Sequence, residues 1–178
     1  MKIIAFLGNP GLKYAKNRHN AGFIIGEYFS DKYSIKLDQK KFNSFSGRAS
    51  LNGIEVCVLF PLTFMNNSGE AVIKAVNFYK EKPENIIAVH DEIELPFGRL
   101  SLKFGGGHKG HNGLRSIINH LGTADFARFR FGVGRPANPN IEVADFVLGN
   151  FLPEEMDNIM EILPETASMI EEEIAVER

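Results

Sequence analysis

The sequence predicts a single α/β domain built on a mixed, partly antiparallel sheet. Its 178 residues suit one domain, and no repeat, low-complexity stretch or Pro/Ser-rich linker divides residues 1–178. Short apolar runs rich in branched and aromatic residues alternate with longer segments of helical periodicity, as in α/β proteins. Asn52-Gly53 lies between two such runs, which predicts a tight hairpin and therefore antiparallel pairing in part of the sheet.

The first 60 residues predict three strands and one helix. Residues 3–7 form a buried strand that ends at the Gly-Asn-Pro-Gly turn of residues 8–11. Residues 20–33 carry apolar side chains at helical spacing. Residues 45–51 and 54–60 are the two strands of the hairpin.

The rest of the chain predicts further strands that alternate with helices. Residues 67–70 have the spacing of a capping box, in which Asn67 caps the start of a helix. Residues 86–89 predict a strand that ends at His90-Asp91-Glu92. The remaining predicted elements are strands at residues 99–104 and 128–133, a helix at 112–121, and a last helix from Pro153 to about Val176 that Pro164 kinks or divides.

The net charge of −2 conceals two regions of opposite sign. Residues 1–150 carry 19 Lys and Arg against 13 Asp and Glu, a net charge of +6. Residues 151–178 carry 1 against 9, a net charge of −8. The basic part is compatible with a lysine-rich surface or with an RNA groove, and the acidic part with a solvated helix face.

Cysteine content and hydropathy exclude two classes of protein. The single Cys57 rules out a disulfide framework or a cysteine-rich zinc site. No apolar stretch approaches the roughly 20 residues that span a bilayer, and residues 3–7 are too short for the core of a signal peptide. We therefore expect a cytoplasmic protein that does not associate with membranes.

Residues 105–110 (GGGHKG) match the pattern G-x-G-x-x-G of dinucleotide-binding loops. However, the preceding residues 101–104 lack the continuous apolar run of a central parallel strand, so a flexible loop or lid over a site is the favoured interpretation. A metal site at His108 and His111 with His90 is not favoured, because no metal-ligand motif accompanies them. The chain also lacks the G-x-S-x-G motif of serine hydrolases.

The remaining candidate chemistry is a histidine with a carboxylate and amides. His19 precedes a helix start, and Asp91 follows a strand. Such a pair can act as general base on water, although each residue could also be an ordinary capping or turn residue. The amides of Asn9, Asn66 and Asn112 could stabilise an oxyanion or hold a substrate carbonyl.

Several motifs, in order along residues 1 to about 150, together resemble the bacterial peptidyl-tRNA hydrolase family. They are LGNPG at residues 7–11, Tyr14, RHNAG at 18–22, PLTFMN at 61–66 with Ser68-Gly69, HDE at 90–92, Leu95-Pro96, GGGHKGHNGL at 105–114 and FVLG at 146–149. The resemblance implies a three-layer α/β/α sandwich similar to purine nucleoside phosphorylase.

The resemblance also implies an activity: hydrolysis of the ester between a peptide and the 3′ ribose of tRNA, which recycles tRNA from prematurely released chains. His19 then resembles the general base, and Asp91 the partner that stabilises its charged form. Asn9 corresponds to the residue that separates N-blocked peptidyl-tRNA from free aminoacyl-tRNA. Asn66 is suited to oxyanion stabilisation. The expected enzyme is a monomer without a metal, another cofactor or an obligate protein partner.

Further positions correspond to substrate contacts in the family. Lys103 and Arg130 match a pair that clamps a phosphate of the tRNA acceptor stem, in agreement with the basic part of the chain. The positions expected to line the site for the tRNA 3′ end and the peptide are Tyr14, Phe64, Asn66 and Asn112, with Met65 and His111 as wall residues. A catalytically idle RNA-binding relative and an NAD(P)-binding enzyme are the alternatives.

Overall fold

One seven-stranded sheet runs through the protein, which is described here by a computed structural model of residues 1–178. The strands are β1 (Lys2–Phe6), β2 (Gln39–Lys41), β3 (Ser44–Leu51), β4 (Ile54–Pro61), β5 (Ile86–Glu92), β6 (Leu100–Phe104) and β7 (Ala127–Gly132). Their order is β2-β3-β4-β1-β5-β7-β6. The central strands β4, β1, β5 and β7 are parallel, whereas β2, β3 and β6 pair antiparallel to their neighbours.

Helices cover both faces of the sheet. They are α1 (Ala21–Lys32), α2 (Ser68–Tyr79), α3 (Asn112–Leu121), α4 (Val143–Val147) and α5 (Pro153–Ile174). Alternate residues of β1 enter two separate cores: Ile4 and Phe6 pack with α1 and α5, and Ile3 and Ala5 pack with α2 and α3. Burial on both faces explains why β1 is a continuous apolar run. The predicted three-layer α/β/α sandwich with a mixed sheet is confirmed.

Three local predictions need correction. Asp91 lies inside β5 and does not follow it, because pairing with β7 continues to Glu92. Asn67 makes no capping hydrogen bond, because the 3-10 turn Met65–Asn67 runs directly into α2 and leaves no extended residue to cap it. Pro164 does not divide α5, whose stripe of buried side chains continues on both sides of it.

Two short elements, β2 and α4, were not predicted. Both lack a clear apolar period, and β2 is a strand of only 3 residues at the edge of the sheet. None of the helices combines the length and the apolar character that crossing a membrane requires.

Candidate active site

The predicted polar residues meet at the carboxyl ends of the central strands. Strands β1 and β5 are parallel neighbours, so the loop after β1 and the end of β5 lie side by side. A cavity of about 320 Å³ opens there. Its lining includes seven of the predicted residues: Asn9, Tyr14, His19, Phe64, Met65, Asn66 and Asn112. An adjoining cavity of about 360 Å³ shares His19 and Asn112 and includes Asp91 and His111.

Asp91 is the centre of a buried hydrogen-bonded cluster that we call the Asp91 cluster: His19, His90, Asp91 and His111. The carboxylate is 2% exposed and accepts hydrogen bonds from two histidines. His19 donates from Nδ1 to Oδ2 at 2.8 Å, and His111 donates from Nε2 to Oδ1 at 2.8 Å. Because Nδ1 of His19 is engaged, Nε2 is the nitrogen left to act in the cavity.

The charges of the cluster reinforce one another. Burial alone would raise the pKa of Asp91, but the adjacent His19 and His111 hold it well below its usual range. Burial lowers the pKa of His19, yet the charge of Asp91 and their hydrogen bond outweigh it, so the pKa is raised overall. Asp91 is therefore ionised near neutral pH and stabilises the protonated form of His19.

Two further contacts fix the proton positions in the cluster. Nδ1 of His111 accepts the backbone N–H of Leu114 at 3.2 Å, so the ring proton of a neutral His111 must lie on Nε2, facing Asp91. His90 donates from Nδ1 to the backbone oxygen of Asp91 at 2.7 Å. Burial lowers the pKa of His90 to about 3, so this ring is neutral. His111, predicted as a wall residue, is thus also a direct partner of Asp91.

Hydrogen bonds fix the orientation of Asn9 and leave the NH₂ group of its side chain unengaged. Asn20 accepts the Asn9 backbone N–H at 2.8 Å and donates to its carbonyl at 2.9 Å. Asn9 Oδ1 accepts the backbone N–H of Met65 at 2.7 Å. Phe64 places that N–H by adopting a left-handed backbone conformation with φ 59°. The group that Asn9 leaves unengaged is therefore its NH₂.

Comparison with known proteins identifies the family of this chain. The peptidyl-tRNA hydrolase family model matches residues 3–177. The chain belongs to the peptidyl-tRNA hydrolase family. The peptidyl-tRNA hydrolase of Citrifermentans bemidjiense is 44% identical over 170 residues, which are 96% of this chain and 89% of that protein. The peptidyl-tRNA hydrolase of Bacillus subtilis is 40% identical over 171 residues, 96% and 90% of the two chains.

The solved structures agree with this assignment. The crystal structure of peptidyl-tRNA hydrolase from Acinetobacter baumannii superposes with a TM-score of 0.90 and 40% sequence identity. The match covers 98% of this chain and 88% of that one. The resemblance stated from the motifs is thereby confirmed, and with it the classification of the protein as a hydrolase.

Lys103 and Arg130 lie outside the cavity of this family member, towards the β6 edge of the sheet. Ser101 pairs with Arg130 and accepts its hydrogen bond at 2.7 Å. Lys103 is two residues after Ser101 in β6, so the side chains of Lys103 and Arg130 lie on the same face of the sheet. Slight burial, together with the charges of Lys109, Arg130 and Arg128, lowers the pKa of Lys103. A cationic surface therefore stands on β7 and β6, two and three strands away from β1, where phosphates could bind.

The role of Arg128 was not predicted from the sequence. This buried guanidinium donates to the carbonyls of Gly106 and Gly107 at 2.6 and 3.0 Å and to that of Ala124 at 3.1 Å. It therefore ties the glycine-rich loop to β7. Nothing in the sequence around an arginine in a strand indicates a hydrogen bond to a loop about 20 residues away. Asn20 was missed as well, although its place directly after His19 was a usable signal.

The loop geometry excludes the dinucleotide hypothesis, because the preceding strand β6 is an antiparallel edge strand and not a central parallel one.

Nitrogen and oxygen atoms of His19, Asp91 and His111 lie within 4.8 Å of one another, the donor set of a three-ligand metal site. Both histidine nitrogens are, however, already bonded to the carboxylate, so a metal would have to replace those hydrogen bonds. His108 instead accepts the Gly110 N–H and does not join them.

Proposed function

We propose that the protein hydrolyses the ester bond between the peptide and the tRNA 3′ ribose in N-blocked peptidyl-tRNA. Water attacks the ester directly, without a covalent intermediate and without a metal or other cofactor. The observation that carries this proposal is the pairing of His19 with the ionised Asp91 beside a cavity lined by three asparagines. The family to which the chain belongs gives the substrate class.

His19 is the proposed general base. Asp91 holds the proton on Nδ1, so Nε2 presents a lone pair that accepts a proton from water. The same carboxylate stabilises the imidazolium that results, as in other histidine–carboxylate pairs. An aminoacyl-type ester needs little further activation, so a positioned water and a few donors suffice.

The asparagines supply the donors. Asn66 is proposed to donate to the developing oxyanion, and the free NH₂ of Asn9 to a carbonyl of the peptide. An N-blocked substrate presents such a carbonyl acceptor, whereas a free aminoacyl ester presents an ammonium group that would face the donor of Asn9. Asn112, whose Oδ1 accepts from Arg115 at 3.3 Å, likewise directs its NH₂ elsewhere and is proposed to bind the substrate backbone.

The remaining predicted residues are proposed to bind the tRNA end. The rings of Tyr14 and Phe64 meet edge to face, 6.2 Å apart, and offer an aromatic surface in the cavity, where Phe64 is 51% exposed. Lys103 and Arg130 are proposed to hold an acceptor-stem phosphate. Within this proposal, residues 1–178 act as one monomeric hydrolase domain in the cytoplasm, without a membrane or an obligate protein partner, and recycle tRNA from prematurely released chains.

Deacylation assays test the proposal. N-acetyl-aminoacyl-tRNA and the matching free aminoacyl-tRNA are incubated with the protein, with and without EDTA. We expect deacylation of the blocked substrate alone, no effect of EDTA, and loss of activity in His19→Ala. Binding of tRNA without hydrolysis would instead support the RNA-binding alternative, and inhibition by EDTA would support a metal site. Full activity of His19→Ala would refute the role of His19 as general base.

A further inference from the structure

A third, larger cavity lies beside the candidate active site and has no role in the mechanism above. Its volume is about 540 Å³, within the range of small-ligand sites. Asn9 lines both this cavity and the catalytic one, so the two are separated by the loop that follows β1. Most of the wall is apolar, with Ile24 from α1, Phe45 from β3 and Phe60 from β4.

The mouth of this cavity is also apolar. Leu12 is 96% exposed and Phe45 is 46% exposed, and both belong to the lining. Single exposed apolar side chains are ordinary, but here they continue the apolar wall to the surface. Glu27 is the one charged residue of the lining. Such a cavity favours an apolar occupant and disfavours an acidic one.

The order of the strands indicates which part of a peptidyl-tRNA would reach this cavity. The cationic residues Lys103 and Arg130 lie on β6 and β7, on one side of strands β1 and β5, whose carboxyl ends carry the catalytic residues. The apolar cavity lies on the other side, against β4 and β3. A substrate whose phosphates bind near β6 and whose ester lies at β1–β5 directs its peptide towards β4.

We propose that this cavity binds the apolar side chain of the peptide residue that precedes the esterified one, an inference that rests on the proposed function. Asn9 forms the wall between the two cavities, and its free NH₂ is placed to bind the backbone of that residue. Consecutive residues of an extended peptide are about 3.3 Å apart, so the side chains of one peptide can lie on the two sides of Asn9. The apolar lining then contributes affinity through burial.

Three substrates test this assignment. They are N-acetyl-dipeptidyl-tRNAs with the same tRNA and the same esterified alanine, preceded by Ala, Leu or Asp. We expect kcat/KM for the Leu substrate to exceed that for the Ala substrate by at least about tenfold, because additional methylene groups are buried. The Asp substrate should have the lowest kcat/KM of the three. In Glu27→Gln, the difference in kcat/KM between the Asp and Ala substrates should become smaller.

Variants of the cavity separate this effect from general damage. In Leu12→Ser and Phe45→Ser, the ratio of kcat/KM for the Leu substrate to that for the Ala substrate should fall close to one. The Ala substrate should still be hydrolysed at the native rate. Phe78→Ser is the matched control, because Phe78 is an aromatic residue that is 57% exposed on α2 and lies outside the cavity. It should retain the native ratio.

Equal rates for the Leu and Ala substrates in the native protein would overturn the assignment. A preference that persists unchanged in both Leu12→Ser and Phe45→Ser would overturn it as well. Failure to hydrolyse any of the three substrates would instead refute the proposed function, so the two failures are distinguishable.

Discussion

Asp91→Asn changes the hydrogen bonds on which the proposed mechanism depends. In the native protein His19 and His111 both donate to Asp91, each at 2.8 Å. The contact with the Leu114 N–H fixes His111 as a donor to this carboxylate. Asparagine offers one oxygen and one NH₂, so it cannot accept both protons. One histidine must change tautomer, and in His19 this change would place the proton on Nε2, where the mechanism needs a lone pair.

The expected loss of activity is large. A general base contributes about 10²–10⁴ to the rate, and amide-for-carboxylate exchange in a serine-protease triad costs about 10⁴. Asp91→Asn removes both the correct tautomer and the charge that stabilises the imidazolium. We therefore expect kcat/KM to fall by about 10²–10⁴ at neutral pH.

The pH profile gives a second, independent readout. His19 acts as base only when neutral, so kcat/KM should fall as the pH drops through its pKa. Asp91 raises that pKa above the ordinary value of 6.5, which places the acid limb of the native profile above pH 6.5. In Asp91→Asn only burial acts, and burial lowers the pKa, so the acid limb should move to lower pH.

The assay is single-turnover hydrolysis of N-acetyl-aminoacyl-tRNA between about pH 5 and 9. Asp125→Asn serves as control, since Asp125 is an exposed carboxylate that lines neither catalytic cavity. It should keep the native rate and profile. A loss smaller than tenfold in Asp91→Asn, with the acid limb in its native position, would contradict the role assigned to Asp91.

Three further variants test positioning, RNA contact and packing. Asn20→Ala leaves the buried Asn9 N–H without a partner, so urea denaturation should show a loss of about 1–3 kcal/mol and kinetics a lower kcat; native values of both would contradict this role. Lys103→Ala should raise KM more than it lowers kcat and reduce the slope of log KM against log salt by about 1; an unchanged slope would remove Lys103 from the phosphate contact. Gly22→Ala would place a Cβ 2.4 Å from the Leu7 carbonyl oxygen, so thermal unfolding should show a loss of about 3 kcal/mol, and a native Tm would contradict this packing.

Local sequence patterns predicted most of the fold because the central strands are buried on both faces. Residues 3–7 read as a continuous apolar run, and the structure places Ile3 to Phe6 in β1 with no exposed surface. The capping box predicted at Asn67 was wrong for a different reason. Its residue spacing was right, but the backbone enters α2 from a 3-10 turn, and no sequence period reports that entry.

The candidate site was predictable only in part. Asn9 and Asp91 could be placed at one sheet edge, because both stand at the carboxyl ends of apolar runs. The contacts that orient them could not, since each joins residues distant in sequence. Asn9 meets Met65 across 56 positions, and Asp91 meets His19 across 72. Such contacts depend on strand order, and the family resemblance identified the residues without their geometry.

Strand alternation also explains how an acidic chain can present a cationic surface. In β6, Leu102 and Phe104 face α5, and Arg178 at the end of the acidic segment lies over the Phe104 ring at 4.5 Å. Lys103 lies between them and therefore faces the opposite side of the sheet. The acidic helix is thus a layer away, on the order of 10 Å, on the other side of the sheet. The net charge of −2 consequently does not describe the surface around Lys103, which faces away from the acidic helix.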